Sequence, residues 1–200
     1  MKELNSGETS KSEFLNISGY ILHSRANGPG LRCCLWVQGC SMRCPGCFNE
    51  GLRDPAGGRK VSVDELFEML IRNNEGVEGI SVSGGEPFDQ PHPALARFFR
   101  MVKEHDEGLT IVAFTGYSYE KEFIKFEYSN IFREYIDVLV SGRYMDSLRL
   151  AKHLQGSSNK VFTFFTSRYS ADDFAAVPPG EIKIGKGGFI TVSGIDPVRM

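Results

Sequence analysis

The chain has 200 residues, a hydrophobic fraction of 41%, a charged fraction of 24% and a formal net charge of −2. These values are typical of a globular protein with one well-buried core, so we expect a single domain over residues 1–200. The 23 Lys and Arg residues are scattered along the chain, which argues against a nucleic-acid or anionic-membrane partner.

The first 14 residues are polar, and we expect them to be disordered. They lack the apolar core of a signal peptide. No apolar run in the chain reaches the length of about 18 residues that marks a membrane span. The protein is therefore expected in the cytoplasm, with no membrane partner.

Beyond this start, strand-like and helix-like segments alternate. Apolar runs predict strands at residues 16–24, 31–39, 77–85, 109–117, 135–142 and 159–167. The second of these strands is apolar on both faces, which is typical of an inner strand of a parallel sheet. Apolar residues at helical spacing predict helices at residues 61–76, 91–108, 118–134 and 145–153. Two short alternating runs around a glycine-rich turn predict a C-terminal β-hairpin extension at residues 180–196.

This alternation is typical of an α/β fold with a parallel sheet and right-handed crossovers. A full eightfold barrel takes about 250 residues, which is more than this chain can supply. We therefore expect an open, incomplete βα barrel of about five to six units.

All five cysteines lie within fifteen residues, at Cys33, Cys34, Cys40, Cys44 and Cys47. A reducing cytoplasm disfavours disulfides, and disulfide frameworks spread along a chain, so this clustering indicates a metal site. Cys40, Cys44 and Cys47 form a C-x3-C-x2-C loop directly after the first inner strand, where α/β folds place their chemistry. Cys33 and Cys34 lie inside the apolar strand and are expected to pack in the core.

Three thiols leave the nature of the site open. A structural zinc site takes four ligands, and a cubane iron–sulfur cluster normally takes four thiolates. Cys33, Cys34 or one of the four histidines could supply a fourth ligand, but the sequence has no second pair with metal-ligand spacing. From spacing alone, an iron–sulfur cluster, a zinc ion and unligated thiols are all compatible with the loop.

A second motif, "ISVSGGEPF" (80–88), ends the next predicted strand. Two glycines let a ligand approach the backbone and Glu86 adds a carboxylate, although ordinary strand-to-helix turns also contain such residues. The turn follows one βα unit after the cysteine loop, at the same end of the sheet. This position favours a site shared by the two motifs.

Together the two motifs resemble the radical S-adenosylmethionine enzymes. Over about residues 16–162 the chain resembles the activating proteins of anaerobic ribonucleoside-triphosphate reductase, with the similar segments in the same order along the chain. The segments that carry this resemblance are "NGPGLRCCLWVQGCSMRCPGCFN" (27–49), "SGGEPF" (83–88), "FTGYSYEKEF" (114–123), "YIDVLVSGRYMDSL" (135–148) and "GSSNK" (156–160). The chain departs from the common pattern at Gly46 and Gln155, where aromatic residues are frequent, and at Ser141, where Asp is frequent.

The resemblance implies a [4Fe-4S] cluster held by Cys40, Cys44 and Cys47, whose open iron binds S-adenosyl-L-methionine. One electron, from a donor of the flavodoxin or ferredoxin type, cleaves the sulfonium bond and yields methionine and a 5′-deoxyadenosyl radical. In activases of this kind the radical takes a hydrogen atom from a glycine Cα of a partner glycyl radical enzyme, here an anaerobic ribonucleoside-triphosphate reductase. The cofactors carry the difficult chemistry, and no further catalytic residue is expected.

The resemblance also implies cofactor-binding residues. Those of the second motif would bind the methionine end of the cofactor: Ser83, Gly84, Gly85, Glu86 and Pro87. Those at the end of the third inner strand would line the same pocket: Thr115, Gly116 and Tyr117. For Tyr117, ordinary packing at the rim is an equal alternative.

Gly46, Phe48 and Asn49 flank the implied cluster. Phe48 could pack on the adenine of the cofactor or anchor the loop. The role of Ser157, Ser158 and Asn159 is left open, because Ser and Asn also populate simple turns.

Two other functions are compatible with these residues. One is a radical S-adenosylmethionine enzyme that acts on a small molecule or peptide. The other is a zinc-stabilised binding module without catalysis. The lack of further cysteines argues against the larger activases that carry an additional ferredoxin-like domain.

Overall fold

A computed structural model describes residues 13–195. Its main element is a seven-stranded mixed sheet with the strand order β3-β1-β2-β4-β5-β6-β9. These strands are β1 (Phe14–Ser24), β2 (Arg32–Val37), β3 (Arg59–Ser62), β4 (Gly79–Gly84), β5 (Thr110–Phe114), β6 (Val138–Ser141) and β9 (Val161–Phe164). Two small hairpins accompany it, β7 (Arg149–Lys152) with β8 (Gln155–Ser157), and β10 (Gly180–Ile184) with β11 (Ile190–Gly194).

Four central strands, β2, β4, β5 and β6, are parallel to one another. Their side chains are buried on both faces, which explains their continuous apolar sequences. The carboxyl ends of these strands therefore meet at one edge, where Val37 lies opposite Gly84 and Phe114 opposite Val140. The outer strands β1, β3 and β9 run antiparallel to their neighbours.

Helices cover one face of the sheet: α1 (Val63–Phe67), which continues as a π-helical turn to Arg72, α2 (His92–His105) and α3 (Ser129–Tyr135). The core between them contains Leu35, Ile80 and Phe99, all without solvent exposure. A smaller apolar cluster on the other face includes Val112, Val140 and Phe174 of α4 (Ala171–Ala175). Both faces of the sheet are thus buried, as the doubly apolar strand β2 predicts.

The helix expected at 61–76 is shorter than predicted. Residues up to Ser62 belong to β3, which pairs with β1, and the helical segment ends at Arg72 rather than near Gly76. The Ser62 hydroxyl accepts a hydrogen bond from the Glu65 backbone N–H at 3.2 Å and caps the start of the helix.

The helix predicted at 118–134 is wrong over part of its length, and the helix predicted at 145–153 is wrong. In 118–134, one 3-10 turn (Phe123–Lys125) precedes the helix α3, because Phe123 is drawn into an aromatic cluster with Phe88 at 4.8 Å. Residues 145–153 form a 3-10 turn (Asp146–Leu148) and then strand β7. Ala151 and His153 have positive φ values of 50° and 53°, which an α-helix of L-residues does not accommodate.

The C-terminal β-hairpin is confirmed as β10 and β11, paired from Gly180 with Gly194 to Ile184 with Ile190. Its Glu181 carboxylate accepts from the Arg25 backbone N–H at 3.1 Å, and the Asn27 amide donates to the Ser193 hydroxyl at 3.0 Å. The hairpin is thereby attached to the β1–β2 loop.

The expected disorder of residues 1–14 lies outside the described residues, apart from Glu13 and from Phe14, which is the first residue of β1. The last residue of the predicted hairpin extension, at 196, is also outside them. Within 13–195, no helix is long and apolar enough to cross a membrane.

Candidate functional site

A cavity of about 330 Å³ opens at the carboxyl edge of the parallel strands. The cavity is lined by eleven of the site residues that the sequence predicts: Cys40, Cys44, Cys47, Phe48, Asn49, Ser83, Gly84, Gly85, Glu86, Thr115 and Gly116. They come from the loop after β2 and from the ends of β4 and β5. Parallel neighbouring strands place their following loops at one edge, which brings these separate segments together.

The cysteine loop after β2 is tied to its surroundings by backbone hydrogen bonds. Gly39 N–H donates to the Leu52 carbonyl at 2.8 Å, and Cys40 N–H donates to the Arg53 carbonyl at 3.1 Å. The Arg53 guanidinium donates in turn to the Cys44 carbonyl. Because the loop is held through its backbone, the three cysteine side chains stay free to bind a ligand.

All five cysteines are free thiols, in two environments. Cys40, Cys44 and Cys47 are partly exposed, whereas Cys33 and Cys34 are buried in β2, as expected. Burial raises the pKa of Cys33 and raises that of Cys34 to about 12, so both stay protonated at neutral pH. Cys34 also lines the cavity, but from strand β2 rather than from the loop that carries the other three thiols.

The donor set fits an iron–sulfur cluster better than a single ion. Within residues 13–195, no three acidic, thiol or imidazole side chains are grouped so as to hold one metal ion. The ligands of a cubane bind different irons, so they stand farther apart than the ligands of one ion, and soft thiolates favour iron–sulfur clusters. Cys40, Cys44 and Cys47 supply three free thiols from one loop to one cavity, which is the type of donor that such a cluster takes.

The glycine pair after β4 allows a close approach between two loops. Gly84 has φ of 108°, a value that favours glycine, and a Cβ there would lie 2.5 Å from the Val37 nitrogen. A Cβ on Gly85 would lie 2.2 Å from the Gly39 carbonyl oxygen, next to Cys40. The Asn49 amide donates to the Gly84 carbonyl at 3.2 Å. The turn and the cysteine loop are therefore packed backbone against backbone.

Glu86 is the buried carboxyl group of the cavity, with 1% of its surface exposed. Its Oε1 accepts from the Thr115 hydroxyl at 2.8 Å and from the Phe88 N–H at 3.1 Å, and its Oε2 accepts from the Gly116 N–H at 2.8 Å. Burial raises the pKa of Glu86 to about 7, although these three hydrogen bonds oppose the shift. A cationic ligand group beside it would favour the ionised form.

Three of the residues singled out do not line the cavity. Gly46 has φ of 70° and lies against Asp146, and Pro87 is buried at the start of a 3-10 turn. The Tyr117 hydroxyl donates to Asp89 Oδ1 at 2.7 Å, while Asp89 Oδ2 accepts from the Ser41 N–H at 2.7 Å. Tyr117 therefore supports the residue after Cys40 rather than the cavity itself.

Several lining residues were not predicted from the sequence: Met42, Tyr144, Arg149, Gly156, Lys160, Gly194 and Ile195. Tyr144 packs edge-on against Phe48, with ring centroids 5.5 Å apart, and Gly156 adjoins the same ring. Gly194 is the last residue of the C-terminal hairpin and Ile195 comes directly after it, so this extension forms part of the cavity wall. Three segments of the resemblance contain residues of this set: Met42 lies in 27–49, Tyr144 in 135–148, and Gly156 and Lys160 are the first and last residues of "GSSNK".

The chain is similar in sequence to known proteins. Residues 26–163 match a family described as "4Fe-4S single cluster domain". The anaerobic ribonucleoside-triphosphate reductase-activating protein of Escherichia coli K12 is 31% identical over 152 residues, which are 74% of this chain and 97% of that protein. The protein of the same name from Vibrio cholerae is 29% identical over 161 residues, which cover 76% of this chain and 99% of that protein.

Two other proteins are similar over shorter stretches. The pyruvate formate-lyase-activating enzyme of Clostridium pasteurianum is 34% identical over 98 residues, 46% of this chain and 40% of that enzyme. The crystal structure of QueE from Escherichia coli overlaps with 56% of this chain and 57% of that chain, at 13% identity and a TM-score of 0.39.

The match to the Escherichia coli protein extends over almost all of that protein's length, and the family match includes the cysteine loop and the glycine turn. The chain belongs to the anaerobic ribonucleoside-triphosphate reductase-activating proteins, a family of radical S-adenosylmethionine enzymes.

Proposed function

We propose that this chain generates a 5′-deoxyadenosyl radical and uses it to take a hydrogen atom from a glycine of an anaerobic ribonucleoside-triphosphate reductase. The observation that carries this proposal is one cavity lined by three free thiols, a glycine turn and a buried carboxyl group, in a chain of the activase family. As a member of that family, the protein is a radical S-adenosylmethionine activase of glycyl radical enzymes, with an iron–sulfur cluster and S-adenosyl-L-methionine as cofactors.

Cys40, Cys44 and Cys47 would hold the [4Fe-4S] cluster. When bound, the cluster supplies one electron for reductive cleavage of the sulfonium bond of S-adenosyl-L-methionine. The chain fixes the loop that presents the thiols, through the Gly39, Cys40 and Ser41 N–H groups and through Arg53. These contacts would limit the movement of the three cysteine ligands when the cluster changes its redox state.

Glu86 would bind the cationic amino group of the cofactor's methionine end. Its two oxygens are fixed by Thr115, Gly116 and Phe88, so its position does not depend on the ligand. The ammonium charge would hold Glu86 ionised and lower its raised pKa. Ser83, Gly84, Gly85 and Pro87 would shape the turn that carries it.

The remaining walls exclude water from the reacting groups. Phe48 and Tyr144 form an aromatic wall on one side, and Phe48, which is 48% exposed, is placed to pack on an adenine. Asn49 and Gly46 set the course of the loop around it. The hairpin end at Gly194 and Ile195 closes another side. Exclusion of water protects a reactive radical from side reactions.

We also propose that residues 1–200 form one domain built as an open, incomplete βα barrel. Four parallel strands carry the site, and the antiparallel strands β1, β3 and β9 complete the sheet at its two edges. The count of five to six units stays a prediction. An open side suits a substrate that a partner presents as a backbone loop.

An electron donor of the flavodoxin or ferredoxin type would reach the cluster from the outer side of the cysteine loop. Cys40 also lines a second cavity there, of about 1010 Å³, together with Arg43, Arg53 and Lys60. Asp54 and Asp89 line it too, and Asp89 is already bonded to Ser41 and Tyr117. The basic residues favour approach of an acidic carrier. The cytoplasmic location stays a prediction.

The test is production of 5′-deoxyadenosine. Protein reconstituted with iron and sulfide under strict anaerobiosis, reduced and mixed with S-adenosyl-L-methionine, is expected to release 5′-deoxyadenosine and methionine in equal amounts. A brown, iron-loaded protein that forms neither product would contradict the proposed chemistry. A colourless protein that binds zinc in place of iron would support the binding module instead.

A further inference from the structure

Lys160 lies on the wall of the cavity that Cys40, Cys44 and Cys47 also line. Its backbone is fixed in a turn, since its N–H donates to the Ser157 carbonyl at 3.2 Å and its carbonyl accepts from the Gln155 amide at 2.8 Å. Its ammonium group donates to the Gly142 carbonyl, at the end of β6. The positive charge is therefore held in a defined place at the site.

Two other largely buried cationic side chains have an ion pair or a full set of hydrogen bonds. Lys103 pairs with the buried carboxylate of Asp137 at 2.7 Å. Arg32, which has no solvent exposure, makes six hydrogen bonds to neutral acceptors. Within residues 13–195, by contrast, the Lys160 ammonium has a single acceptor and no ion pair, although an ammonium has three donors.

The other charged groups of the cavity compensate Lys160 only in part. Glu86 is occupied by its three donors and makes no ion pair with Lys160 within the described part of the chain. Arg149, the other cation on the wall, is exposed and hydrogen-bonded to Tyr144. Burial lowers the pKa of Lys160, and Glu86 and then the three thiols oppose that shift. A partly buried ammonium without an ion pair among the described residues favours an anion in the cavity.

We propose that Lys160 stabilises the reduced state of the cluster and so raises its reduction potential. A cluster with three thiolate ligands becomes more negative by one charge when it takes one electron from a reductant. No bond is made or broken in that step, and Lys160 keeps its proton. A fixed positive charge in a partly desolvated cavity favours the more negative state, and net charge is one of the factors that set cluster potentials. This inference rests on the proposed function, because it requires the cluster.

The test is an anaerobic redox titration of the reconstituted holoprotein without S-adenosyl-L-methionine, followed by the electron paramagnetic resonance signal of the reduced cluster. Lys160→Gln removes the charge, Lys160→Arg keeps it, and Lys160→Glu reverses it. Lys152→Gln, at an exposed position of β7, is the matched control. We expect a lower midpoint potential for Lys160→Gln, a still lower one for Lys160→Glu, and wild-type potentials for Lys160→Arg and Lys152→Gln.

A midpoint potential of Lys160→Gln equal to that of the wild type would overturn the inference. The potential is read from the loaded fraction, so reduced iron content does not obscure it, and Lys160→Met serves if Lys160→Gln holds no cluster. An unchanged potential with a weaker Kd for S-adenosyl-L-methionine would assign the ammonium to the cofactor's carboxylate and would likewise overturn it. A wild-type protein that holds no cluster would contradict the proposed function instead.

Discussion

The buried carboxyl group of Glu86 accepts a hydrogen bond from the backbone N–H of Gly116 at 2.8 Å. This contact joins the turn after β4 to the end of β5, and the Thr115 hydroxyl reinforces it at the same distance of 2.8 Å. The "SGGEPF" turn after β4 and the "FTGY" segment at the end of β5 are thereby fixed to one another without any ligand. The site is preorganised on the sheet, and its buried carboxyl group makes it sensitive to pH.

Glu86 is expected to make the stability of the apoprotein depend on pH. Its folded pKa of about 7 lies above its ordinary value of 4.5, so its contribution is fully present below pH 4.5 and is lost as the pH rises through 7. The loss is on the order of 3 kcal/mol, from the shift that burial causes.

Urea unfolding of the wild type and of Glu86→Gln at pH 5 and pH 8 checks this dependence. Because other groups titrate equally in both proteins, the informative quantity is the difference between their free energies of unfolding. This difference should shift in favour of Glu86→Gln at the higher pH. A difference that does not change with pH would contradict the assigned environment of Glu86.

Replacing Cys40, Cys44 or Cys47 by alanine is expected to abolish cluster binding. These thiols are partly exposed and line the cavity, whereas Cys33 is buried in β2 and protonated. Cys33→Ala should therefore keep its iron and lose only some packing stability. Iron and sulfide analysis with the visible absorption spectrum measures the outcome. Equal iron loss in all four variants would contradict the ligand assignment, and Cys34→Ala gives a second buried control.

Gly85→Ala is expected to damage both the fold and the cluster site. The added Cβ would lie 2.2 Å from the Gly39 carbonyl oxygen, and backbone atoms cannot move aside cheaply. We expect a loss of roughly 1–3 kcal/mol in the free energy of unfolding, as is common for overpacking, together with lower iron content.

Gly116→Ala is the matched variant for Gly85→Ala. Its Cβ would meet the Met42 sulfur at 2.1 Å, but that sulfur belongs to a flexible side chain that can rotate away. The stability loss should therefore be smaller, and Met42→Ala in the same chain should restore it. Similar losses in unfolding midpoint for Gly85→Ala and Gly116→Ala would show that the backbone contact is not the cause.

The sequence predicted the centre of the site better than its margins. The cysteine loop and the "SGGEP" turn meet because neighbouring parallel strands end at one edge, a relationship that chain order alone implies. Lys160 and Ile195 reach the same cavity only through the β7–β8 hairpin and the C-terminal hairpin, whereas Tyr144 reaches it from the loop after β6. Positive φ values at Ala151 and His153 prevent a helix at residues 145–153. No local sequence pattern predicts these φ values.

Tyr117 illustrates the opposite case, because it belongs to a motif beside the cavity but does not line it. Its ring packs edge-on against Phe126 at 5.0 Å, and its hydroxyl binds Asp89. The direction of a side chain at the end of a strand depends on such tertiary partners. Strand position therefore predicts the neighbourhood of a residue more reliably than its contacts.

The central claim is delivery of a radical to a glycine of a partner protein. Reduced, reconstituted protein is mixed under anaerobic conditions with an anaerobic ribonucleoside-triphosphate reductase and S-adenosyl-L-methionine, and the electron paramagnetic resonance spectrum is recorded. We predict a glycyl doublet that requires all three components and is absent with Cys44→Ala. The absence of a doublet, in a mixture that does form 5′-deoxyadenosine, would contradict the proposed partner and favour a small-molecule or peptide substrate.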